Sequence, residues 1–179
     1  MNKILSSLLI LFLMIQFSGC LVFNNIYYDI SLKPDGSGSA TVLIEDINSD
    51  ALTPEEFTND SIYIFDYAHK SEQFILDMDY EGKKIIRREL SVDGNKLNAF
   101  VSFNFDSLKN IEGIGFDDPY YFLTLEPTDS IIYTNGQVIE SENYKRIIWD
   151  KYFTTLKFRI FSSHTNIDGI KSLAPYLKN

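Results

Sequence analysis

Apolar and polar residues alternate with a period of two near the start of the chain. One face of residues 26–32 carries four apolar side chains: Ile26, Tyr28, Ile30 and Leu32. A second alternating run, residues 40–45, follows Lys33-Pro34-Asp35-Gly36-Ser37-Gly38. In that segment proline presets φ and glycine supplies a positive φ, which is typical of a turn. The pattern predicts a β-hairpin.

A second hairpin is predicted further along the chain. On its first strand Ile86, Arg88, Leu90 and Val92 share one face and alternate with Ile85, Arg87, Glu89 and Ser91. Asp93-Gly94-Asn95 then reverses the chain. The second strand has one apolar face, which consists of Leu97, Ala99, Val101, Phe103 and Phe105.

The segment between the two hairpins has the features of a helix. Thr53-Pro54-Glu55-Glu56 offers a capping threonine, a proline at the first helical position and acidic residues near the positive end of the dipole. Apolar residues then recur at helical spacing: Phe57, Ile64, Phe65, Ala68, Ile75 and Leu76. Residues 62–65 are also β-prone, so the helix could be interrupted there.

The remaining chain is predicted to be mostly strand. Residues 106–114 read as a short helix, and Asn135-Gly136 is a strong hairpin-turn signal. A closing helix is predicted over residues 168–177, interrupted at Pro175. The predicted strands are residues 120–125, 131–134, 144–149 and 152–161. The fold class predicted from these elements is α+β, with a mostly antiparallel sheet of hairpins and one or two helices packed on one face.

The strand over residues 120–125 is apolar on both faces. Such a strand is either covered on both sides or forms an exposed adhesive surface. We expect coverage, with Tyr121 and Leu123 facing the helix and Phe122 under a loop or the C-terminal segment. If the strand is exposed instead, Tyr120, Tyr121 and Phe122 are candidates for a partner-binding surface.

The first 19 residues differ from the rest and predict a secretory signal peptide. Lys3 supplies a positive start, residues 4–17 are mostly apolar, and Ser18-Gly19 provides a small-residue exit. A membrane-spanning helix needs about 20 apolar residues. Ser6, Ser7 and Gln16 interrupt the apolar run below that length.

The end of this segment, Phe17-Ser18-Gly19-Cys20, resembles the lipobox of bacterial lipoproteins, although leucine is commoner than phenylalanine at its first position. The resemblance implies cleavage between Gly19 and Cys20 and a diacylglycerol thioether on Cys20. Cys20 is the only cysteine of the chain, and lipidation would explain an unpaired thiol in an exported protein. Two or three acyl chains hold a protein durably on a membrane. Residues 20–25 are then the lipidated cysteine and a short tether, and residues 26–179 are one globular domain.

The residue after the cysteine bears on localisation. In lipoproteins of bacteria with two membranes, a residue other than aspartate after the cysteine resembles the pattern exported to the outer membrane, and this chain has Leu21. The whole opening, from Cys20 through a short spacer, a strand, Asp35-Gly36-Ser37-Gly38 and a second strand, resembles the LppM-like group of bacterial lipoprotein domains. That resemblance implies an α+β lipoprotein domain in the cell envelope.

Composition and motifs argue against several functions. The 179 residues carry a net charge of −9, so a nucleic-acid partner is not expected, because phosphate binding requires surplus lysine and arginine. The two histidines, His69 and His164, lie far apart in sequence without metal-ligand spacing. Residues 77–82 imitate the start of a calcium loop, but the twelfth position is Arg88 instead of glutamate. We therefore predict no metal, no cofactor and no catalytic residue.

Three functions remain as hypotheses. The first is a non-enzymatic binding or structural module, held on the membrane through Cys20, that meets an envelope protein partner. The second is a carrier of a lipid or another hydrophobic ligand, which an apolar pocket of several hundred Å³ would favour. The third is a hydrolase whose site is dispersed along the sequence.

Overall fold

The computed structural model describes residues 21–111, 113–161 and 169–178. The described strands form three antiparallel sheets. The first seven strands are β1 Leu21–Val22, β2 Asn25–Leu32, β3 Gly38–Glu45, β4 Asn48–Ser49, β5 Lys83–Asp93, β6 Lys96–Phe105 and β7 Ile114–Asp117. They are followed by β8 Tyr120–Leu125, β9 Ser130–Thr134, β10 Gln137–Glu140, β11 Lys145–Asp150, β12 Thr155–Phe161 and β13 Lys171–Ser172. The prediction of a mostly antiparallel α+β protein is confirmed.

The largest sheet has six strands in the order β5-β6-β3-β2-β12-β9. Both predicted hairpins are confirmed, since β2 pairs with β3 and β5 pairs with β6 in antiparallel register. Gly36 and Gly94 adopt positive φ at the two turns, as the turn sequences predicted. The outer face of the sheet is polar and carries ion pairs such as Lys157–Asp29 at 2.6 Å.

A second sheet, in the order β10-β11-β8-β7, lies against the inner face of the first. The buried side chains between the two sheets form the main core. These core residues include Ile30, Val42, Phe103, Phe105, Leu123, Ile147, Trp149, Leu156 and Phe158. This half of the molecule is therefore a two-layer β-sandwich whose interior is filled by large apolar side chains.

The helical segment between β4 and β5 has three parts: α1 Pro54–Ile62, a π-helical turn Tyr63–Ala68 and α2 Glu72–Tyr80. The predicted start is confirmed, because Thr53 and Glu56 form a reciprocal capping box. The side chain of Ser71 caps α2 by accepting from the backbone N–H of Gln73. No helix among the described residues is long and apolar enough to span a membrane.

A smaller sheet, β1-β4-β13, adjoins a second apolar cluster. The buried members of this cluster are Ile47, Ile64, Phe65, Leu97, Ala99, Leu173 and Ala174. The expected tether over residues 21–25 is corrected here. Leu21 pairs with Ser49 and Val22 with Asn48, so this segment is held by backbone hydrogen bonds to the domain.

Two local predictions on strands are also corrected. Asn135-Gly136 does not close a hairpin, because β9 belongs to the six-stranded sheet and β10 to the four-stranded sheet. The chain crosses from one sheet to the other at this point. On β5 the register shifts between Ile85 and Arg87. This bulge leaves Ile86 exposed and places Ile85, opposite Phe103, on the inner face.

Two predicted helices are wrong. In the described part of residues 106–114, a 3₁₀ turn at Leu108–Asn110 is the only helical element before β7 begins. The described part of residues 168–177 contains β13 and a 3₁₀ turn at Ala174–Tyr176. Pro175 lies in the first positions of that turn, where its fixed φ is accepted but a longer helix is not favoured.

Candidate ligand-binding pocket

An apolar pocket of about 280 Å³ lies at one end of the inner face of the six-stranded sheet. Its floor is formed by side chains of β3, β5 and β6, namely Ile44, Leu90, Ala99 and Val101. The helical segment supplies the opposite wall through Tyr63, Ile64, Ala68 and Phe74. The lining is completed by three more residues: Leu21 on β1, Phe23, and Ile47 directly before β4.

Small side chains on facing walls explain why space remains here. Ala99 lies on the sheet floor and Ala68 on the helical wall, and both contact the pocket. In the main core the six-stranded sheet is covered by the four-stranded sheet, and the ring of Trp149 on β11 lies 6.0 Å from the ring of Phe158 on β12. A pocket of this size with almost entirely apolar walls suits a small hydrophobic ligand.

The π-helical turn shapes the pocket wall. The backbone N–H of His69 donates to the carbonyl of Ile64 at 3.1 Å, which closes the wide i to i+5 turn. Such turns are frequent at functional sites. Tyr63, Ile64 and Ala68 from this turn all contact the pocket.

A tyrosine fastens the π-helical turn to α2. The Tyr67 hydroxyl donates to the Asp77 carboxylate at 2.5 Å, and the Tyr67 ring lies edge-on to Phe74 at 5.5 Å. The hydrogen bond to Asp77 raises the pKa of Tyr67 to about 12. The same bond, aided by a hydrogen bond from Gln73, lowers the pKa of Asp77. The two helical elements therefore form a fixed wall.

Arg88 brings a positive charge to the apolar lining. It lies opposite Val101 in the β5–β6 register, so its side chain shares the inner face of the sheet. The guanidinium donates to the carbonyl of Ala68 at 2.9 Å and lies 5.6 Å from the centre of the Phe74 ring. Among the described residues, no carboxylate forms an ion pair with Arg88.

Two further polar lining residues, Glu89 and His69, do not neutralise this charge. Glu89 points its carboxylate toward Arg87, which binds it through two hydrogen bonds of 2.5 and 2.6 Å. His69 is half-buried. Burial, followed by the charges of Arg88 and Lys70, lowers the pKa of His69. The shift favours the neutral imidazole, which leaves the guanidinium of Arg88 as the main charge of the pocket.

The volume limits the size of a ligand. A cavity of about 150 Å³ binds benzene, so a pocket of roughly twice that volume fits on the order of eleven non-hydrogen atoms. Apolar walls with one oriented polar group are the usual composition of a small-molecule site. The geometry suits a short apolar chain better than a two-chain lipid.

The structure separates the three residues predicted as a partner surface. Tyr121 points into the main core, where it packs with Leu123 against the opposite sheet rather than against a helix. Tyr120 is exposed on the other side of β8. The three side chains do not form one surface.

Phe122 also differs from the prediction. Among the described residues, its cover comes from neighbouring strands of its own sheet. Its ring lies across Gly115, where an added Cβ would approach Phe122 Cζ to 2.3 Å. The guanidinium of Arg146 lies 4.8 Å from the ring centre and covers its outer side. Phe122 is therefore half-buried on the outer face of the four-stranded sheet.

Other candidate residues of the sequence contribute little chemistry here. Gly19, Cys20 and His164 lie outside the described residues. No group of three or more His, Cys, Asp or Glu side chains that could hold a metal ion occurs in the part of the chain that the structure describes. In the calcium-like segment the carboxylate of Asp77 is occupied by Tyr67 and Gln73.

No protein-family model, curated protein or solved structure matches the chain. The resemblances to bacterial lipoproteins and to the LppM-like group therefore remain predictions.

The pocket itself was not predicted from the sequence. Its walls come from segments that are distant in sequence, and Ala68 and Ala99 carry no local signal. One signal was present: Arg88 shares a face of the predicted strand with three apolar residues, Ile86, Leu90 and Val92. A cation at such a position is a reason to expect an unusual environment, because a buried charge requires a partner.

Proposed function

We propose that this protein is a lipid-anchored, non-enzymatic protein of the bacterial cell envelope that binds a small hydrophobic ligand. The observation that carries the proposal is the apolar pocket of about 280 Å³ between the six-stranded sheet and the helical segment. In this proposal, α1, the π-helical turn and α2 form a layer over one end of the sheet, and the pocket is the space left between the layers.

The place of the pocket fits a role at a membrane. Leu21 and Phe23 line it, and Leu21 directly follows Cys20, the proposed site of lipidation. Adjacent Cα atoms are about 3.8 Å apart, so acyl chains on Cys20 would hold this side of the domain close to the bilayer. A hydrophobic ligand could then pass between the bilayer and the pocket with little exposure to water. In a bacterium with two membranes, the proposed location is the outer membrane.

Labelling with palmitate tests the anchor. Radiolabelled palmitate should enter the wild-type chain and not the Cys20→Ala variant. The membrane fraction should contain the wild type, while the variant is released from it. Equal labelling of the two chains would contradict the proposed anchor without bearing on the pocket.

Binding of alkanols tests the pocket. The mature protein in phosphatidylcholine nanodiscs is titrated calorimetrically with hexanol, octanol, decanol and dodecanol, with empty nanodiscs as the reference. Each buried methylene contributes about 0.8 kcal/mol. Affinity should therefore rise with chain length and stop rising at about eleven non-hydrogen atoms, the number that the pocket holds.

Variants that fill the pocket provide the matched comparison. Ala99→Leu adds three carbons to the floor and Ala68→Leu adds them to the opposite wall, so each should weaken decanol binding at least about tenfold. Ser39→Leu, on the exposed outer face of β3, adds a similar side chain and should bind as the wild type does. If no alkanol binds the wild type, or if neither pocket variant has an effect while both remain folded, the proposed function is wrong.

Binding of a protein partner is a second candidate function, favoured by exposed aromatic residues near one end of the four-stranded sheet. Tyr152 is 81% exposed and Phe116 is 53% exposed. The backbone N–H of Lys151 donates to the carbonyl of Pro119 at 2.8 Å, which brings the Tyr152 turn beside Tyr120. Aromatic side chains of this kind are enriched at protein interfaces.

A further inference from the structure

The pocket contains a charged side chain, Arg88, which a purely apolar ligand would not need. Arg88 is the sole lysine or arginine among the described lining residues. Its guanidinium has no carboxylate partner among the described residues, although the whole protein carries a net charge of −9. Bringing a charge next to apolar walls is unfavourable unless a group of opposite charge compensates it.

The guanidinium is also held in a fixed position. Its hydrogen bond to the Ala68 carbonyl and its contact with the Phe74 ring orient it at the end of the π-helical turn. A guanidinium carries five N–H donors in a planar fork. The carbonyl of Ala68 uses one of them and carries only a partial charge. The remaining donors suit a planar anion that can accept two parallel hydrogen bonds.

The neighbouring groups are compatible with one added negative charge. The Glu89 carboxylate is held by Arg87, and Lys70 forms an ion pair with Asp66 at 3.4 Å. His69, which also lines the pocket, brings no negative charge, because an imidazole is either neutral or cationic. Arg88 can thus neutralise one carboxylate, and the pocket offers no second cation for a doubly charged head group.

We propose that the ligand is a single-chain carboxylate amphiphile whose head group binds Arg88 and whose chain, of about ten carbons, fills the pocket. This inference rests on the proposed function, since it assigns a head group to the ligand that the apolar walls accommodate. Arg88 selects the charge of the ligand, and the pocket volume of about 280 Å³ limits its length.

Ligands of equal chain length and different charge test the proposal. The mature protein in phosphatidylcholine nanodiscs is titrated with decanoate, decanol and decylamine at neutral pH, with empty nanodiscs as the reference. Wild type should bind decanoate at least about tenfold more tightly than decanol, and decylamine least tightly. Arg88→Met retains an unbranched apolar stem and should weaken decanoate binding about 10- to 100-fold while changing decanol binding less than about threefold.

Arg88→Lys keeps the charge but removes the planar fork, so it should recover part of the affinity for decanoate. A merely structural role of Arg88 at the end of the π-helical turn would make decanoate and decanol change together. Equal binding of decanoate by wild type and Arg88→Met, or tighter binding of decanol than of decanoate by the wild type, would overturn the carboxylate assignment. Because decanol binding would remain in both cases, that result is distinguishable from failure of the proposed function, in which no alkyl ligand binds.

Discussion

Asn135 joins the two sheets of the sandwich, and its replacement by alanine should be strongly destabilising. Its side-chain oxygen accepts from Trp149 Nε1 on β11 at 2.8 Å and from the backbone N–H of Lys157 on β12 at 2.8 Å. Its amide nitrogen donates to the carbonyl of Thr155 at 2.9 Å. One side chain therefore satisfies three polar groups where the chain passes from one sheet to the other.

The expected loss of stability follows from the polar groups that Asn135→Ala leaves without a hydrogen-bond partner. Trp149 is 1% exposed, so its indole N–H would lose its acceptor in a place that water reaches poorly. A buried donor without a partner costs about 1–3 kcal/mol. The backbone groups of Thr155 and Lys157 are partly accessible, and each lost bond there costs about 0.5–1.5 kcal/mol. The sum is about 2–6 kcal/mol, a large part of the roughly 5–15 kcal/mol that stabilises a domain.

Urea denaturation provides the assay, because Trp149 is the single tryptophan of the chain and its fluorescence reports unfolding of the core. Asn135→Asp keeps an acceptor for Trp149 but cannot donate to Thr155, so its loss of stability should be intermediate. Asn104→Ala, at an exposed position on β6, is the matched control and should change stability by less than about 0.5 kcal/mol. A loss below about 1 kcal/mol for Asn135→Ala would show that the three hydrogen bonds of this side chain contribute little to stability.

Three further predictions concern the sheet, the pocket and the N-terminal segment. Gly38→Ala should lower the free energy of unfolding by about 1–3 kcal/mol in the same assay, because the added Cβ would meet the Ser31 carbonyl oxygen at 2.0 Å; an unchanged stability would contradict this close approach. NMR titration should find the pKa of His69 below its ordinary value in the wild type, and less lowered in Arg88→Met. Because the folded state disfavours the charged imidazole, the free energy of unfolding should fall as the pH is lowered through the ordinary histidine pKa. An unshifted pKa of His69 would disprove its burial beside Arg88. A chain beginning at residue 26 should be less stable and bind decanol more weakly than one beginning at residue 21, because β1 pairs with β4 and Leu21 lines the pocket. Equal stability and equal decanol affinity of the two chains would show that residues 21–25 act only as a tether.

Local signals predicted the parts of the fold that local chemistry determines. The turn around Gly36 requires a positive φ, and the capping residues Thr53 and Glu56 satisfy helix-end donors within four positions of each other. Alternation on β2 and β3 was sufficient to assign the buried face. These features depend on neighbouring residues, so they can be read from one sequence.

Features that depend on distant partners were missed. Asn135-Gly136 has the composition of a hairpin turn, yet β9 pairs with β12 and β10 with β11, because each strand finds its partner elsewhere in the chain. The bulge at Ile86 exchanges which of two isoleucines faces inward, and alternation gives no sign of it. The pocket arises from the coincidence of Ala68 and Ala99 on facing walls, which no local pattern encodes.

The location of a bound alkyl chain decides whether the protein holds a hydrophobic ligand in its pocket. With methyl-labelled protein in nanodiscs and unlabelled decanol, NMR cross-relaxation should connect the chain to the methyl groups of Ile44, Leu90 and Ala99, which line the pocket. The exposed Ile132 and Val138 should show no such contact. Cross-relaxation confined to exposed methyl groups, with none at Ala99, would contradict the proposal that this protein binds a hydrophobic ligand in its pocket.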